Sequence, residues 1–310
     1  MGPNFIVTHE SDTAVAKQCA DRLARMYYDA RHDFRFTVEA LEPEEAIRRA
    51  MQAPEHTVFL SDSGDNPTAG AAGDNAYLLN RLMQAGAKNV LVAGIMDAAA
   101  CARCYEAQPG DTLELTVGGS LDKRSESAVI RGRLIGRGDL LSYQRDNAGP
   151  CAMLDCGGIT VAITKNRAAF CRPDIFASVG LDYTKYHIVV VKLGYLFPEL
   201  AEEAERSILA FTPGASTERL QDMHMQNIRR PMYPLDDNFM EKRLAEVRKI
   251  LKAKGLDAAL IYFDELNVAN GWYLTGWCGQ FEKGAVLVPI EGEPYLLGGP
   301  ESEPFAQMNS

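Results

Sequence analysis

The strongest constraint on the fold is an alternation of short apolar runs with amphipathic runs over the first third of the chain. The runs "FIVT" at 5–8, "TVFLSD" at 57–62 and "NVLVAGI" at 89–95 have the length and the side chains of strands. Apolar residues at helical spacing predict helices over 12–32, 42–53, 74–85 and 97–107. Because parallel strands are joined by helical crossovers, this order predicts a parallel sheet that is covered on both faces.

The next part of the chain changes to strands with few helices between them. Four strand-like runs lie at 111–119, 127–136, 150–156 and 158–165. A further buried strand is predicted at 186–194, and a helix is predicted at 197–211. We therefore predict an α/β fold with a mixed sheet, in which parallel βα units are followed by an antiparallel section.

One loop of this sheet, "LSDSGDNPTAGAAGDN" at 60–75, concentrates three glycines and three aspartates between a strand and a helix. That arrangement presents backbone N–H groups to an anion, and glycine permits a positive φ and a close approach of a ligand. The loop has neither a Walker Gly-Lys-Ser/Thr sequence nor a GxGxxG fingerprint. The candidate ligand-binding residues are Asp62, Asp65, Asn66, Gly70, Gly73 and Asp74.

A purely structural interpretation of the same loop stays open, in which it is only a tight connection between strand and helix. Asp74 is placed to cap the helix, and Asp65-Asn66-Pro67 is placed to form a turn. On the functional interpretation, Asp74 and Asp65 are engaged in the same way, which leaves Asp62 as the acid that is freest to contact a substrate amine, a water or a metal held by a partner domain. On the functional interpretation, the helix that begins at Asp74 directs its positive end into the same crevice.

The charge and the cysteine content narrow the possible partners and cofactors. A net charge of −10 argues against nucleic acid or an anionic membrane as the main partner, and no apolar run approaches the ~18 residues of a transmembrane helix. Because the start of the chain lacks a signal-peptide pattern, we expect a cytoplasmic protein with reduced thiols. Cys101 and Cys104 lie in a predicted helix without a second CxxC, and the five histidines show no ligand spacing, so we predict no metal site.

The composition changes at "RRPMYPLDDNF" (229–239), which has two prolines and no periodicity and is typical of a linker. It divides the chain into two predicted domains, 1–236 and 237–310. The proline residues lack N–H donors and the acidic residues are strongly solvated, so we predict that 231–239 is an exposed hinge. Limited proteolysis should cut there first.

The region after the linker is predicted to be a small, incomplete α/β segment. A charged amphipathic helix lies at 238–255, where Asn238 is placed as its N-cap, and a buried strand follows at 256–263. A hairpin is predicted around Glu291-Gly292-Glu293. One helix and three strands are a small core for an independent domain.

The segment "DSGDNPTAGAAGDNAYLL" (62–79) resembles the Asp-Asn-Pro-Gly-Gly-Gly-Ala-Pro-Gly-Asp segment of the microcystinase C family, the microcystin LR degradation proteins. Six further segments match that family in the same order, at 117–122, 154–170, 179–182, 188–197, 211–216 and 229–236. The resemblance covers about 4–236. It departs locally, because Thr68, Ala69 and Ala72 replace residues that are typically Gly, Gly and Pro, and "KLGYLFPEL" lacks the usual Ser and His-Phe.

Members of that family are zinc metallopeptidase-like proteins, so the resemblance implies a part of an amide hydrolase with a peptide or small amide substrate. Their zinc ligands lie in an N-terminal domain ahead of the matched region, which implies zinc as the cofactor but no zinc site in this chain. The implied partner is that metal-binding half or a subunit that carries it, with the loop at 62–74 facing its cleft. A non-catalytic ligand-binding or assembly module that uses this loop is the alternative, and a homo-oligomer is a further arrangement that stays open.

The tail resembles a second family. The residues "RLAEVRKILKAKGLDAALIYFDELNVANGWYLTGW" and the following hairpin are similar to the N-terminal domain of the creatinase, prolidase and aminopeptidase P group, whose Asn-x-x-Tyr-Leu-Thr-Gly is matched at 270–276. This resemblance covers about 240–310, so it implies a domain cut in its middle. We expect a natural fusion, a fragment, a read-through or a mis-assembled gene model, and the N-terminal portion of such a peptidase is a further alternative for the function.

Overall fold

A computed structural model describes residues 4–223, 225–228, 232, 235–236, 239–264, 269–275 and 283–298. The chain divides into two compact units, Met1–Asp222 and Met223–Ser310. The domain boundary at 236/237 stays a prediction. Within the described residues, no helix combines the length and the apolar character that a membrane span requires.

The first unit contains one nine-stranded sheet. Its strands are β1 (Glu39–Leu41), β2 (Val58–Asp62), β3 (Val90–Met96), β4 (Thr112–Val117), β5 (Ala128–Leu141), β6 (Asn147–Asp155), β7 (Ile159–Thr164), β8 (Ile188–Val191) and β9 (Arg206–Ala210). Its helices are α1 (Thr13–Asp29), α2 (Pro43–Gln52), α3 (Tyr77–Gln84), α4 (Ala98–Glu106), α5 (Pro173–Ser178) and α6 (Pro198–Glu203). The strand order is β1-β9-β2-β8-β3-β7-β6-β5-β4.

This sheet confirms the predicted α/β class. Strands β1, β9, β2, β8, β3 and β7 pair in parallel, whereas β7, β6, β5 and β4 pair antiparallel. Every residue of β2 and β8 is buried. The reason is that the sheet has a core on each face: one includes residues of α2, α3 and α4, and the other includes residues of α5 and α6.

Two predictions of local structure are wrong. The segment at 197–211 is not one helix, because α6 ends at Glu203 and β9 follows as an inner strand between β1 and β2. Pairing on both edges of β9 outweighs the helical spacing of its apolar residues. The run at 5–8 is not a strand, and its Ile6 is strongly exposed. The edge strand β1 was not predicted, since its three residues carry no alternating pattern.

The second unit contains α7 (Phe239–Lys254), α8 (Ala269–Thr275) and an antiparallel sheet of β10 (Ala258–Phe263), β11 (Gly284–Pro289) and β12 (Tyr295–Leu297). Leu244 and Val247 of α7 pack against the buried core around Phe263 of β10. The pair β11–β12 is the predicted hairpin. Most of the predicted hinge at 231–239, including Asn238, and the tail at 299–310 lie outside the described residues.

Candidate functional site

Three loops of the first unit leave the carboxyl edge of neighbouring parallel strands. They follow β2 at 63–76, β8 at 192–197 and β9 at 211–219. Because β9, β2 and β8 are adjacent in the sheet, the three loops begin next to one another. Open α/β sheets place their ligands at this edge. The predicted position of the Gly-rich loop at the carboxyl end of a parallel strand is therefore confirmed, and its contact with a ligand stays a prediction.

A buried lysine ties the Gly-rich loop to the neighbouring strand. Lys192 follows β8 directly, and its Nζ lies 2.9 Å from Asp62 Oδ2 and 2.9 Å from Asp65 Oδ2. The same Nζ donates to the Asn75 carbonyl oxygen at 2.6 Å. All three charged side chains are almost completely buried. This acid–lysine–acid cluster holds the first half of the loop to its second half and to β8.

The cluster carries one cation and two carboxyl groups, and the pKa directions follow from that imbalance. Burial lowers the pKa of Lys192, but the two carboxylates outweigh burial, so its net pKa is raised and the ammonium stays charged. Burial raises the pKa of Asp65, and the negative charge of Asp62 adds to that effect against the opposing influence of Lys192. Asp65 is therefore the member of the cluster that is protonated more readily than an ordinary aspartate.

Asp62 was predicted to be the freest acid of the loop, and that prediction is wrong. Its side chain is 1% exposed, and beside Lys192 it accepts a hydrogen bond from Thr212 Oγ1 at 2.5 Å. Thr212 follows β9, so both partners come from strands that flank β2 in the sheet. An acid held in this way has no open side toward a substrate amine or a metal.

The predicted turn at Asn66-Pro67 is present, but Asn66 closes it rather than Asp65. Asn66 Oδ1 accepts from the N–H of Thr68 at 2.9 Å and from its hydroxyl at 2.7 Å. Asp65 instead accepts from the N–H groups of Gly73 at 2.8 Å and Asn75 at 2.7 Å. The positive φ angles that were expected at two glycines are confirmed, at +98° for Gly70 and +79° for Gly73.

Asp74 was predicted to cap the next helix, and that prediction is also wrong. Helix α3 begins at Tyr77, and Ala76 occupies its N-cap position without a side-chain hydrogen bond. The Asp74 carboxylate accepts from the Leu121 N–H at 2.7 Å and from the Ser125 hydroxyl at 2.6 Å. Asp74 therefore fastens the Gly-rich loop to the connection between β4 and β5.

We expect Asp74→Ala to lower the free energy of unfolding by about 2 kcal/mol, because it leaves the part-buried Leu121 N–H and Ser125 hydroxyl without their charged acceptor. Urea unfolding monitored by circular dichroism measures the change. The matched control is Asp139→Ala, which removes an exposed carboxylate from β5. A loss no larger than that of the control would show that these hydrogen bonds contribute little to stability.

The loop presents an uncharged tip to solvent. Thr68, Ala69 and Gly70 are exposed, whereas Asp62–Pro67 and Gly73–Ala76 are buried. Most backbone N–H groups of the loop donate to acceptors of the same chain, namely those of Gly64, Asn66, Thr68, Ala69, Gly70, Ala71, Gly73 and Asn75. Most of the N–H groups on which the anion-binding interpretation depended are therefore engaged within the protein.

The residues of the described structure do not fit a zinc ion. No group of three or more His, Cys, Asp or Glu side chains in the described part of the chain is placed to hold a metal. Cys101 and Cys104 lie in α4 as predicted, and both are buried. Burial raises the pKa of each thiol to about 11, which disfavours the thiolate that metals bind. His187 is satisfied by a contact of its Nε2 with the Ala50 carbonyl oxygen at 3.1 Å.

Sequence reasoning missed the residues that organise this edge. Lys192 ends a run of four buried aliphatic residues, and a cation in that position signals a buried acidic partner. Thr212 donates to Asp62, and Ser216 accepts the Asn66 N–H at 2.8 Å. The segment "FTPGAS" that contains both was recognised only as a matching segment, because local spacing does not show that β9 lies beside β2.

Most of the first unit lies within a match to a known protein family. The family model described as "MlrC C-terminus" matches residues 60–227. Microcystinase C from Sphingomonas sp. is 24% identical over 245 residues, which are 76% of this chain and 47% of that protein. The chain thus spans about half the length of the curated relative that it matches.

The fold has a counterpart among solved structures. A crystal structure at 2.13 Å resolution of a candidate metallopeptidase from Mesorhizobium sp. BNC1 superposes with a TM-score of 0.59. The identity is 22%, and the match covers 72% of this chain and 46% of that one, so it shows a shared fold. Because the family match covers more than half of the 310 residues, the chain belongs to the MlrC C-terminus family.

Proposed function

We propose that this chain is the part of a zinc-dependent amide hydrolase that positions the substrate, and that the zinc ligands belong to a complementary half. Membership of the MlrC C-terminus family supports the proposal, and so do the names of the relatives, a microcystinase and a candidate metallopeptidase. The complementary half is either a further part of a longer polypeptide or a separate subunit. The substrate class is a peptide or a small amide.

The proposal rests on one observation. The Gly-rich loop, which lies within the family match, is held in place by other residues of the same chain. Asp62 and Asp65 are bound to Lys192, and Asp74 is bound to the β4–β5 connection. Ordering a free loop on binding costs conformational entropy, and a loop that is already held avoids that cost. The uncharged tip at Thr68–Gly70 is therefore presented in one conformation at the edge where open α/β sheets bind ligands.

This assignment gives the chain a positioning role. The acids of the loop are engaged, so none of them is offered as a general base or as a zinc ligand. The small side chains of the tip, an alanine and a glycine, permit a close approach of a substrate backbone. No step of hydrolysis is assigned to a residue of this chain.

The test supplies the complementary half. The portion of the Sphingomonas microcystinase C that this chain does not match is produced separately, loaded with zinc and mixed with the chain. Hydrolysis of a panel of peptide p-nitroanilides is then followed by absorbance. The expected result is zinc-dependent release of p-nitroaniline by the mixture and none by either part alone. Equal activity of the zinc-loaded portion without this chain would contradict the proposal.

We expect Ala69→Trp to reduce the activity of that mixture at least ~10-fold, since a bulky side chain at the tip blocks the close approach of substrate. Its free energy of unfolding should stay within about 0.5 kcal/mol of the wild type, because Ala69 is exposed. The control is Ala85→Trp, at an exposed residue that follows α3 at the opposite edge of the sheet. Equal activity of the two variants would show that the tip does not face the substrate.

A non-catalytic binding or assembly module is the second candidate. The engagement of all three loop acids and of most loop N–H groups favours it, because nothing reactive is exposed there. A mixture that forms a stable complex but hydrolyses none of the p-nitroanilides would support this candidate over the first.

We also propose that the second unit is related to the N-terminal domain of the creatinase, prolidase and aminopeptidase P group. Its support is the sequence resemblance over about 240–310 together with the helices α7 and α8 beside an antiparallel sheet. Removal of residues 237–310 should leave the activity of the mixture unchanged. A loss of activity would show that the second unit takes part in the reaction.

A further inference from the structure

The apolar side of helix α1 in the first unit is substantially exposed. None of its 17 residues is buried. Four large apolar side chains are substantially exposed: Val15 at 45%, Leu23 at 40%, Met26 at 57% and Tyr27 at 41%. Together with Cys19 they lie at helical spacing along one side of the helix. We call these five residues the α1 stripe.

The stripe continues into the residues on either side of α1. Phe5 contacts the Tyr27 ring edge-on at 5.6 Å, and Phe34 lies 4.7 Å from the same ring. Phe34 is itself half exposed, and Ile6 is 90% exposed. Apolar surface of this extent is uncommon on a soluble protein unless something binds there.

The local interactions of α1 do not replace a packed face. Asp12 caps the helix by accepting from the N–H groups of Ala14 at 2.8 Å and Val15 at 3.2 Å. Lys17 and Asp21 form an exposed pair one turn apart. Most helical stability in proteins comes from the packing of an amphipathic face rather than from such contacts. A 17-residue amphipathic helix is thus expected to be stable only when its apolar side is covered.

We propose that the α1 stripe is the docking surface for the complementary, zinc-binding half of the hydrolase, an inference that rests on the proposed function. About half of the length of each matched relative lies outside the matched region. We therefore expect a further region of similar length to pack against this one. An uncovered amphipathic helix is the feature that such a second half would bury.

The charges beside the stripe specify the partner surface further. Arg22 borders the stripe next to Val15, one heptad along the helix. A complementary surface is therefore apolar in its centre and polar at its rim. A second copy of this chain fits less well, because each copy carries a net charge of −10.

The exposure of the α1 stripe is tested first, with the chain alone. If the stripe is uncovered, amides of residues 13–29 should exchange nearly as fast as those of an unstructured peptide, and the exposed Cys19 thiol should react with a maleimide at the rate of a free thiol. Light scattering should give a monomer. A dimer that Leu23→Glu converts to a monomer would overturn the proposal in favour of a second copy. Strong amide protection of 13–29 in the monomer would overturn it as well.

The mixture with the zinc-loaded portion of the Sphingomonas relative tests the docking itself. We expect protection of Cys19 and of the 13–29 amides in the complex, and at least ~10-fold weaker binding of Leu23→Glu. The matched control is Ala14→Glu, which adds the same charge at an exposed residue on the opposite side of the helix and should bind as the wild type does. Equal weakening by both variants, or a complex in which Cys19 stays reactive, would refute the assignment.

The outcomes separate this inference from the proposed function. A complex that protects Cys19 without hydrolysing p-nitroanilides would support the docking surface and contradict the hydrolase. A mixture that hydrolyses them while Cys19 stays reactive would support the hydrolase and contradict the docking surface. Absence of any complex with a folded, zinc-loaded portion would overturn the docking surface.

Discussion

Replacing Lys192 with methionine is expected to lower the free energy of unfolding of this chain by about 3–5 kcal/mol, the largest effect that we predict. Methionine has a similar length and no charge, so the variant leaves Asp62 and Asp65 buried side by side without their ammonium. It also removes the donor to the Asn75 carbonyl oxygen. Urea unfolding monitored by far- and near-ultraviolet circular dichroism measures the loss.

The control for this variant is Lys165→Met, which removes an exposed ammonium at the same edge of the sheet and should change stability by less than about 0.5 kcal/mol. If Lys192→Met were no more destabilising than this control, the cluster would not be a stabilising element of the loop. A variant that is molten or aggregated would show no cooperative unfolding transition in urea, and this result would also agree with the prediction.

The destabilisation by Lys192→Met should depend on pH, because the same cluster contains a titrating carboxyl group. The pKa of Asp65 is raised in the folded state, so its contribution to stability is fully present below its unfolded pKa and is lost as the pH rises through its folded pKa. Without the ammonium this pKa rises further, because Lys192 is an influence that lowers it. The loss in the free energy of unfolding caused by Lys192→Met should therefore be smaller at about pH 5 than at about pH 8. An equal defect at both values would contradict this account.

Gly118→Ala is expected to destabilise the chain by about 3 kcal/mol, from backbone strain and a steric clash together. Gly118 has a φ of +75°, which side-chain-bearing residues rarely adopt. A Cβ at this position would also collide with the carbonyl oxygen of Asp74. Because this oxygen belongs to the backbone, no change of side-chain rotamer can relieve the clash. The substitution would push the β4–β5 connection away from the Gly-rich loop.

Gly180 offers a closely matched control, since it has the same φ of +75° and open space where a Cβ would lie. Gly180→Ala should cost only the conformational strain, about 1 kcal/mol. The difference between the two variants in urea unfolding then isolates the close approach of Gly118 to Asp74. Equal losses would mean that the loop moves to accommodate the methyl group.

The parallel core of the fold could be predicted because its strands are apolar throughout. Strands β2, β3 and β8 were located from their runs of Val, Leu and Ile, and such runs signal burial on both faces. Strand β9 could not be located in this way. Its residues Ser207–Ala210 also suit a helix, and only pairing with β1 and β2 decides the matter.

The candidate site was located from the sequence, but the roles of its acids were not. The glycines and the Asn66-Pro67 pair act within the loop itself, so their turn and their positive φ angles followed from residue type. The partners of Asp62 and Asp74 lie 130 and 47 residues away, at Lys192 and Leu121. Short-range spacing contains no information about such contacts.

By itself, the sequence determined that β2, β3 and β8 are buried strands, where the Gly-rich loop lies and which family the first unit resembles. These features depend on residue type and local order. Only the tertiary structure decided that β9 and β8 flank β2, and hence that Thr212 and Lys192 converge on Asp62. The physical reason is that a buried carboxylate must be paired by whichever strands are adjacent in space, and adjacency in a parallel sheet is set by crossovers rather than by neighbouring residues.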